Sequence, residues 1–338
     1  MSSITQKSAL NVVMGSMTFG EEGQDGARIH DLKEVKDILE VFRSHGHTEI
    51  DSARVYSGGT SEEYLGQLAE YLKENGFKIE TKLYPTKAKG DQDGISHTPE
   101  SLRKHLLRSL DALKLTTLDI WYLHGPDRTV PYEVTLKAVN ELYHEGYFKQ
   151  FGISNYAAWE VAEMVGICKA NGYIQPTVYQ GVYHALHRAV EPELFPCLQK
   201  FGISFYEFSP LGGGLFTGRY NSLDDKPEPG SRYDPDRVQG KSYRSRYWKE
   251  PHFQALKTIS NLAEKHNLTL AEIALRWVSH HSLLRREHGD AILIGASRLS
   301  HIKQNLLDLE KGPLPAEVVS ALDEAWLTVE PYSIRYFH

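Results

Sequence analysis

Cysteine is scarce in this chain of 338 residues, which contains only Cys168 and Cys197. Two thiols are too few for a disulfide framework or for a cysteine-rich zinc site. Their scarcity therefore excludes a small scaffold held together by disulfides, and it favours an intracellular protein whose thiols are reduced.

Long apolar runs and clusters of positive charge are also missing. No stretch approaches the roughly 18 apolar residues of a transmembrane helix, and the first residues, MSSITQKSALNVV, lack the apolar core of a signal peptide. The net charge is −6, and no cluster of lysine or arginine is long enough to follow a phosphate backbone. We therefore expect a cytoplasmic protein that binds neither a membrane nor nucleic acid.

The composition is that of a folded globular protein, with 41% apolar and 24% charged residues. Short apolar segments alternate with helical patterns such as the stripe Leu32, Val35, Ile38, Leu39 and Phe42. The predicted strands begin near residues 10, 49, 77, 118, 148, 176, 204 and 291. Eight strand–helix units predict a (β/α)8 TIM barrel, an α/β fold in one domain over residues 1–338. A doubly wound sheet is the alternative, but its glycine fingerprint is missing after the first strand.

One connection is far longer than the others. Residues 221–249, after the seventh predicted strand, are rich in Asp, Pro, Gly, Arg and Tyr. A connection of this length is typical of a functional loop, so we predict a lid over residues 209–250. An aromatic tail over residues 327–338 ends the chain.

Polar side chains follow three successive predicted strands. Asp51 ends the second strand, Lys82 the third and His124 the fourth, while Tyr56 lies in the loop just after Asp51. Because the carboxyl ends of all strands meet at one face of a parallel barrel, we expect these four side chains to converge. Any one of them alone is more often an ordinary solvated or capping residue.

The four side chains have complementary chemistry. Tyr56 would deliver a proton, and the Lys82 ammonium would stabilise the phenolate and lower the pKa of a phenol from its reference value of about 10. Asp51 would hold that ammonium in place, and His124 would donate a hydrogen bond to a substrate oxygen.

Local patterns also predict helix starts. Thr60 and Glu63 fit a capping box, so that a helix begins near Ser61, and Ser297 is predicted to be the N-cap of a late helix. Ser154 and Asn155 follow the fifth predicted strand, where they either cap the next helix or hydrogen-bond a ligand amide. From the residues alone, capping is favoured.

In order and context, Asp51, Tyr56, Lys82 and His124 resemble the catalytic tetrad of the aldo-keto reductases. The blocks HGHTEIDSARVYSGGTSEEYLG, ELFPCLQKFGISFYEFSPLGGGLFTGRY and HGDAILIGASRLSHIKQNL are similar to the aflatoxin-aldehyde and succinic-semialdehyde reductase branch of that family. The resemblance implies hydride transfer from NADPH to a small carbonyl substrate, an aldehyde or a ketone. It also implies a homodimer.

The resemblance extends to a cofactor site for NADPH. Ser209 to Arg219 is glycine-rich, with backbone amides that could wrap a pyrophosphate, and Arg298 beside a helix N-terminus suits an anion. The residues that match cofactor contacts are Gly15, Met17, Asp51, Ser154, Asn155, Gln180, Phe208, Ser209, Pro210, Leu211, Gly213, Arg219, Arg232, Ser297, Arg298, Gln304 and Asn305.

The expected substrate contacts are His124, Tyr243, Arg246 and His338. An arginine at position 246 favours aldehydes that carry a carboxylate. His338 departs from the branch, whose mammalian members have arginine there, and Phe208 replaces a common tyrosine. Dialdehydes and secondary-metabolite carbonyls therefore stay open as substrates.

Two other functions fit parts of the sequence. Relatives that act as β-subunits of potassium channels share the barrel and the tetrad but act mainly as binding partners. A metal-dependent barrel hydrolase would use some of the sixteen histidines. However, His45 with His47, and His280 with His281, lack the spacing and the carboxylate partner of a zinc site, so no metal is expected.

Overall fold

The computed structural model describes residues 5–87 and 94–338 and has eight parallel strands that close into a barrel in chain order. β8 pairs with β1, in the register Gly15 to Gly295. The strands are β1 (Asn11–Gly15), β2 (Glu49–Asp51), β3 (Lys78–Leu83), β4 (Leu118–Leu123), β5 (Phe148–Ser154), β6 (Pro176–Val182), β7 (Ser204–Phe208) and β8 (Ala291–Gly295). The predicted (β/α)8 barrel is confirmed.

Amphipathic helices cover the outside of the barrel. In the first of them, Asp31 is the N-cap and accepts a hydrogen bond from the Lys33 backbone, while Val35, Ile38 and Phe42 are buried against the strands. The helices are α1 (Leu32–Ser44), α2 (Thr60–Gln67), α3 (Ala69–Glu74), α4 (Pro99–Leu113), α5 (Tyr132–His144), α6 (Ala158–Asn171), α7 (Leu194–Phe201), α8 (Val238–Tyr247), α9 (Glu250–Lys265), α10 (Leu270–His280), α11 (Leu299–Leu309) and α12 (Ala316–Val329). In the part of the chain that the structure describes, no helix has the length and hydropathy of a membrane span.

The inside of the barrel has its own small core, formed by Val13, Ile120, Tyr122, Val178, Tyr206, Ala291 and Leu293. Alternate residues of a strand face opposite sides. Ile50 and Ile79 belong to the outer core, so Asp51 and Lys82 face the barrel interior. The strand alternation thus directs both polar side chains to the carboxyl end of the interior.

A long segment and the tail lie over this end. After β7 the chain forms a short 3-10 turn at Gly212–Thr217 and later the helix α8. The Tyr233 hydroxyl donates a 2.7 Å hydrogen bond to the Gly212 carbonyl, which ties the segment to the turn. From the tail, the His338 N–H donates to the Asn155 carbonyl at 3.3 Å. The tail therefore ends close to β5 at the mouth of the barrel.

The predicted capping box at Thr60 is wrong. Thr60 is the first residue of α2, the N-cap is Gly59 with φ 101°, and no side chain caps this helix. Ser57 and Gly58 also have positive φ. This left-handed run before the helix shifts its start, and the Thr60 hydroxyl donates back to the Ser57 carbonyl at 2.7 Å instead.

The two other predicted caps are also wrong. α11 has Arg298 as its N-cap, and the Ser297 hydroxyl lies 3.2 Å from Nδ1 of His301. α6 begins after Ala157, which lies too far along the chain for Ser154 or Asn155 to cap it.

Candidate active site

A buried ion pair lies at the centre of the barrel mouth. Lys82 Nζ is 2.6 Å from both carboxylate oxygens of Asp51 and donates a further 2.8 Å hydrogen bond to the Ser52 carbonyl. The Lys82 and Asp51 side chains are only 0% and 2% exposed, respectively. A pair this deeply buried persists only when hydrogen bonds saturate it, as they do here.

The loop after β2 brings Tyr56 over the ion pair. Arg54 and Glu62 form an ion pair across the base of this loop, and the Thr81 hydroxyl donates to Glu62 at 2.6 Å. Lys82 Nζ lies 4.8 Å from the centre of the Tyr56 ring. Tyr56 as a whole residue keeps some solvent-accessible surface, whereas Asp51 and Lys82 are buried. Of these three residues, Tyr56 is therefore the most accessible.

Burial has the largest influence on Tyr56 and raises its pKa above the usual value. Lys82 acts to lower this pKa, as expected, and the Asp51 carboxylate partly cancels that lowering. For Lys82, burial acts to lower the pKa, but Asp51 and Tyr56 outweigh it and the pKa is raised. At neutral pH the phenol therefore holds its proton beside a charged ammonium.

His124 completes the group from the end of β4. Its ring stands edge-on to Tyr56, with centroids 5.8 Å apart and an interplanar angle of 84°. Burial, together with Lys82 and His338, holds the pKa of His124 well below its usual value. A neutral imidazole can donate one N–H to a substrate oxygen. The structure thus gathers all four residues of the expected tetrad.

Ser154, Asn155 and Gln180 lie beside the tetrad. Gln180 Nε2 donates to Asp51 Oδ1 at 2.8 Å, and Asn155 Nδ2 donates to the His124 carbonyl at 2.8 Å and to the Ser154 hydroxyl at 3.0 Å. These bonds connect the ends of β5 and β6 to Asp51 and His124. All three side chains are buried, and their hydroxyl and amide groups are suited to binding a carboxamide.

The glycine-rich loop after β7 fits closely under α8. The Ser209 hydroxyl is 3.0 Å from that of Tyr243, and Arg232 donates to the same tyrosine at 3.5 Å. Gly213 has φ 66°, and a Cβ there would overlap the Tyr243 ring. Arg232 also contacts the Met17 sulfur at 3.9 Å. The glycine-rich loop and Arg232 are therefore both in direct contact with Tyr243.

A second set of predicted residues lies at the start of α11. The charges of Arg298 and Arg219 both act on His301, which contacts Ser297. Gln304 Nε2 instead donates to Asp308 at 3.0 Å, and Arg219 pairs with Glu228. No hydrogen bond or ring contact in the described residues links this group to the tetrad. These residues form a separate cationic rim.

Tyr84 also lies beside His124, although it is not one of the predicted site residues. Its ring lies edge-on to His124, with centroids 5.4 Å apart, and 6.0 Å from the His338 ring. Arg246 lies near enough for its charge to lower the pKa of Tyr84, although burial raises it overall. Because Tyr84 follows Lys82 by two residues at the same strand end, the strand-end rule could have found it.

The histidines and carboxylates of the described ranges, 5–87 and 94–338, do not form a group of three that could hold a metal. The metal-dependent alternative therefore has no ligand set in this part of the chain.

Comparison with known proteins decides the family. The sequence model of the aldo/keto reductase family matches residues 11–327. The chain belongs to this family. It is similar to an aldo-keto reductase of Pseudocercospora fijiensis, with 49% identity over 89% of this chain and 100% of that protein. It is also similar to the aldo-keto reductase pigE of Monascus ruber, at 43% identity over the whole of both chains. Human aflatoxin B1 aldehyde reductase member 2 is 42% identical over 96% of this chain and 89% of its own length.

This aldo/keto reductase is thus an oxidoreductase that acts on carbonyl compounds, and the family generally uses NAD(P)H. The site fits such a cofactor. Ser154, Asn155 and Gln180 offer hydrogen-bonding groups for a carboxamide next to Asp51. On the rim, the Arg298 side chain has no hydrogen-bond or ion-pair partner among the residues described, while its backbone carbonyl accepts from the His301 N–H at 3.1 Å.

Proposed function

We propose that this protein reduces an aldehyde to an alcohol with NADPH and that Tyr56 is the proton donor. The observation that carries the proposal is the position of the Tyr56 phenol, between the buried Lys82–Asp51 pair and the neutral His124. When bound, the reduced nicotinamide supplies a hydride to the carbonyl carbon. The chain itself must then orient the carbonyl and protonate its oxygen.

Each of the four side chains of the tetrad has its own role in the reaction. Neutral His124 donates a hydrogen bond to the carbonyl oxygen and so orients it toward Tyr56. Tyr56 transfers its hydroxyl proton to that oxygen and becomes a phenolate. The Lys82 ammonium stabilises the phenolate, and Asp51 keeps Lys82 charged in a buried place. Solvent then returns a proton to Tyr56.

The residues that would hold NADPH lie on both sides of the tetrad. Ser154, Asn155 and Gln180 would bind the carboxamide, and the loop from Phe208 to Arg219 would cover the pyrophosphate. Arg298 would bind the 2′-phosphate, because an unpaired guanidinium beside a helix N-terminus is a strong anion site.

Replacing Arg298 by alanine should therefore change cofactor preference. We expect the Kd for NADPH to rise at least about tenfold, as loss of one charge-assisted hydrogen bond requires. The Kd for NADH, which lacks the phosphate, should stay the same. Titration of protein fluorescence with each cofactor measures both constants, and Arg298→Lys should give an intermediate value. Equal weakening of the two cofactors would refute this role for Arg298.

Arg246 and Tyr243 would face the substrate. The Arg246 guanidinium lies 5.8 Å from the centre of the Tyr243 ring, and its charge acts on Tyr84 and His338. A carboxylate on the aldehyde would find this cation within the same pocket as His124. The substrate class that we propose is therefore an aldehyde that carries an anionic group.

The variant Arg246→Ala tests this substrate class with a matched pair of aldehydes, 2-carboxybenzaldehyde and benzaldehyde, which differ only in the carboxylate. We expect KM for the carboxylated aldehyde to rise at least about tenfold, whereas KM for benzaldehyde stays within about twofold. Arg244→Ala is a matched control on the same helix, because the Arg244 guanidinium lies over the Trp248 ring, 4.4 Å from its centre. Steady-state kinetics with both aldehydes measure the effect. An equal rise for the neutral aldehyde would show that the charge of Arg246 is not used.

NADPH oxidation in the presence of an aldehyde panel tests the whole proposal. We expect turnover with both aromatic and aliphatic aldehydes. A protein that binds NADPH tightly but oxidises none of it would instead fit the binding role of channel β-subunits.

A further inference from the structure

Three buried histidines cluster beneath the end of α8, outside the tetrad. His184 and His187 lie in the loop after β6, and His252 lies in the first turn of α9. These three residues are 0%, 1% and 0% exposed, respectively. None of them has a part in the chemistry described above.

The Tyr247 ring lies at the centre of this cluster. Its centroid is 5.2 Å from that of His184, 6.2 Å from that of His187 and 5.9 Å from that of His252. Tyr247 is the last residue of α8 and is 1% exposed. The cluster therefore surrounds the C-terminal end of the helix that carries Tyr243 and Arg246.

The hydrogen bonds of His184 fix its tautomer. The Leu186 N–H donates to Nδ1 of His184 at 3.3 Å, so Nδ1 carries no proton. The proton of the neutral ring is therefore on Nε2, which lies 2.9 Å from the Tyr247 hydroxyl oxygen and donates to it. Protonation of Nδ1 would break the bond to Leu186. The structure thus holds His184 as a neutral donor to Tyr247.

The surroundings of the cluster oppose any positive charge on it. Burial lowers the pKa of His187 to about 3 and the pKa of His252 to about 4, and it holds the pKa of His184 well below its usual value. The charged groups that act on these histidines are Arg246, Arg188 and Lys249, all cationic. Burial raises the pKa of Tyr247, Arg246 acts to lower it, and Glu207 adds a smaller raising effect. The three imidazoles are therefore neutral.

Arg246 precedes Tyr247 in the last turn of α8, and its guanidinium lies 5.8 Å from the centre of the Tyr243 ring. Its charge acts on His184 and His187 in the cluster, and also on Tyr84 and His338 at the candidate substrate site. Among the residues that the structure describes, no carboxylate forms an ion pair with Arg246. The imidazoles near Arg246 are neutral, and no carboxylate of the described residues neutralises its guanidinium. The positive charge of Arg246 is therefore available to an anion in the candidate substrate pocket.

We propose that His184 is a positioning residue for Arg246, which it holds toward the substrate through its hydrogen bond to Tyr247. This inference rests on the proposed role of Arg246 in binding an anionic substrate. Tyr247 directly follows Arg246, so anchoring its side chain fixes the last turn of α8. The histidine cluster thereby contributes to selectivity for carboxylated aldehydes without contact with the substrate.

Two substitutions test the inference. Tyr247→Phe removes the acceptor oxygen with little change in volume, and His184→Leu removes the donor. For each we expect KM for the carboxylated benzaldehyde to rise about fivefold, while its kcat, the KM for benzaldehyde and the Kd for NADPH stay within about twofold. His184→Gln keeps an N–H that can reach Tyr247 and should restore most of the lost affinity.

Tyr183→Phe is the matched control. Its hydroxyl is also buried and hydrogen-bonded, but to Glu191 and to the backbone of Leu283, outside the cluster. We expect this variant to lose stability without a change in the ratio of the two KM values. Melting temperatures of all variants distinguish a loss of stability from a displacement of Arg246 in a folded protein.

The outcomes are distinguishable. An unchanged KM ratio in Tyr247→Phe, in a folded protein whose Arg246→Ala variant does show the charge effect, would overturn the positioning role alone. No effect of Arg246→Ala would instead overturn the substrate class on which the role rests. A parallel rise of both KM values would show that the cluster only supports the fold, and this too contradicts the inference.

Discussion

Replacing Tyr56 by phenylalanine is expected to lower kcat by about a thousandfold, the usual contribution of a positioned general acid. The substitution removes only the hydroxyl and leaves the ring in its edge-on contact with His124. The Kd for NADPH should therefore stay within about twofold, since none of the expected cofactor contacts is lost. Steady-state NADPH oxidation gives kcat, and fluorescence titration gives the Kd.

Tyr64→Phe provides the control for this variant. Tyr64 lies on α2, just after the loop that carries Tyr56. Its hydroxyl donates a 3.0 Å hydrogen bond to the His30 carbonyl and makes no contact with the tetrad among the bonds of the described residues. The same chemical change there should leave kcat unchanged. If Tyr56→Phe kept turnover close to that of the wild type, the proton would have to come from another group.

Replacing Lys82 by methionine is expected to lower kcat at least about a hundredfold and to destabilise the fold by about 3 kcal/mol. The activity falls because the phenolate of Tyr56 loses its cation. The stability falls because Asp51, which is 2% exposed, is left as an unpaired buried charge. Among the described residues, its only remaining side-chain partner is the Gln180 amide. Denaturant unfolding and kcat are measured on the same preparation.

The double variant Asp51→Asn with Lys82→Met separates these two effects. Removal of both charges should recover much of the stability, because no unpaired charge stays buried. It should recover none of the activity, since the cation is still missing. Recovery of turnover in the double variant would show that Lys82 is needed only for the stability of the fold and not for the reaction.

The strand-end rule explains why the place of the tetrad could be predicted. Asp51, Lys82 and His124 lie at or directly beside the carboxyl ends of β2, β3 and β4, and closure of a parallel barrel brings such ends together. The structure puts Tyr56 beside them, but the catalytic roles of the four residues stay predictions until turnover is measured. Tyr84 directly follows β3 and obeys the same rule, so its position in the sequence alone would have indicated it.

The predicted caps failed because capping depends on backbone conformation as well as on residue type. Thr60 has the residue pattern of an N-cap, but the left-handed residues Ser57 to Gly59 move the helix start onto Thr60 itself. Asn155 has φ 65° and uses its amide to hold the His124 carbonyl. In both cases the backbone conformation, which the residue pattern does not show, decided whether the side chain could cap a helix.

The net pKa shift of Tyr56 could not be predicted from the sequence. The sequence places Lys82 near Tyr56 but does not show how deeply both groups lie, and burial decides the direction of the pKa shift of Tyr56. The histidine cluster could not be predicted either, because its members are separated by up to 68 positions, from His184 to His252. Only the packing of the β6 loop against α8 and α9 brings them together.

The most direct test of the proposed chemistry uses the wild-type protein, the carboxylated benzaldehyde and NADPH that carries deuterium at both hydrogen positions of the transferring carbon. We predict an alcohol that carries deuterium on the former carbonyl carbon, in an amount equal to the NADPH consumed. The hydroxyl proton should come from the solvent by way of Tyr56. NADPH that binds but is not consumed, or an alcohol without deuterium on that carbon, would contradict hydride transfer at this site.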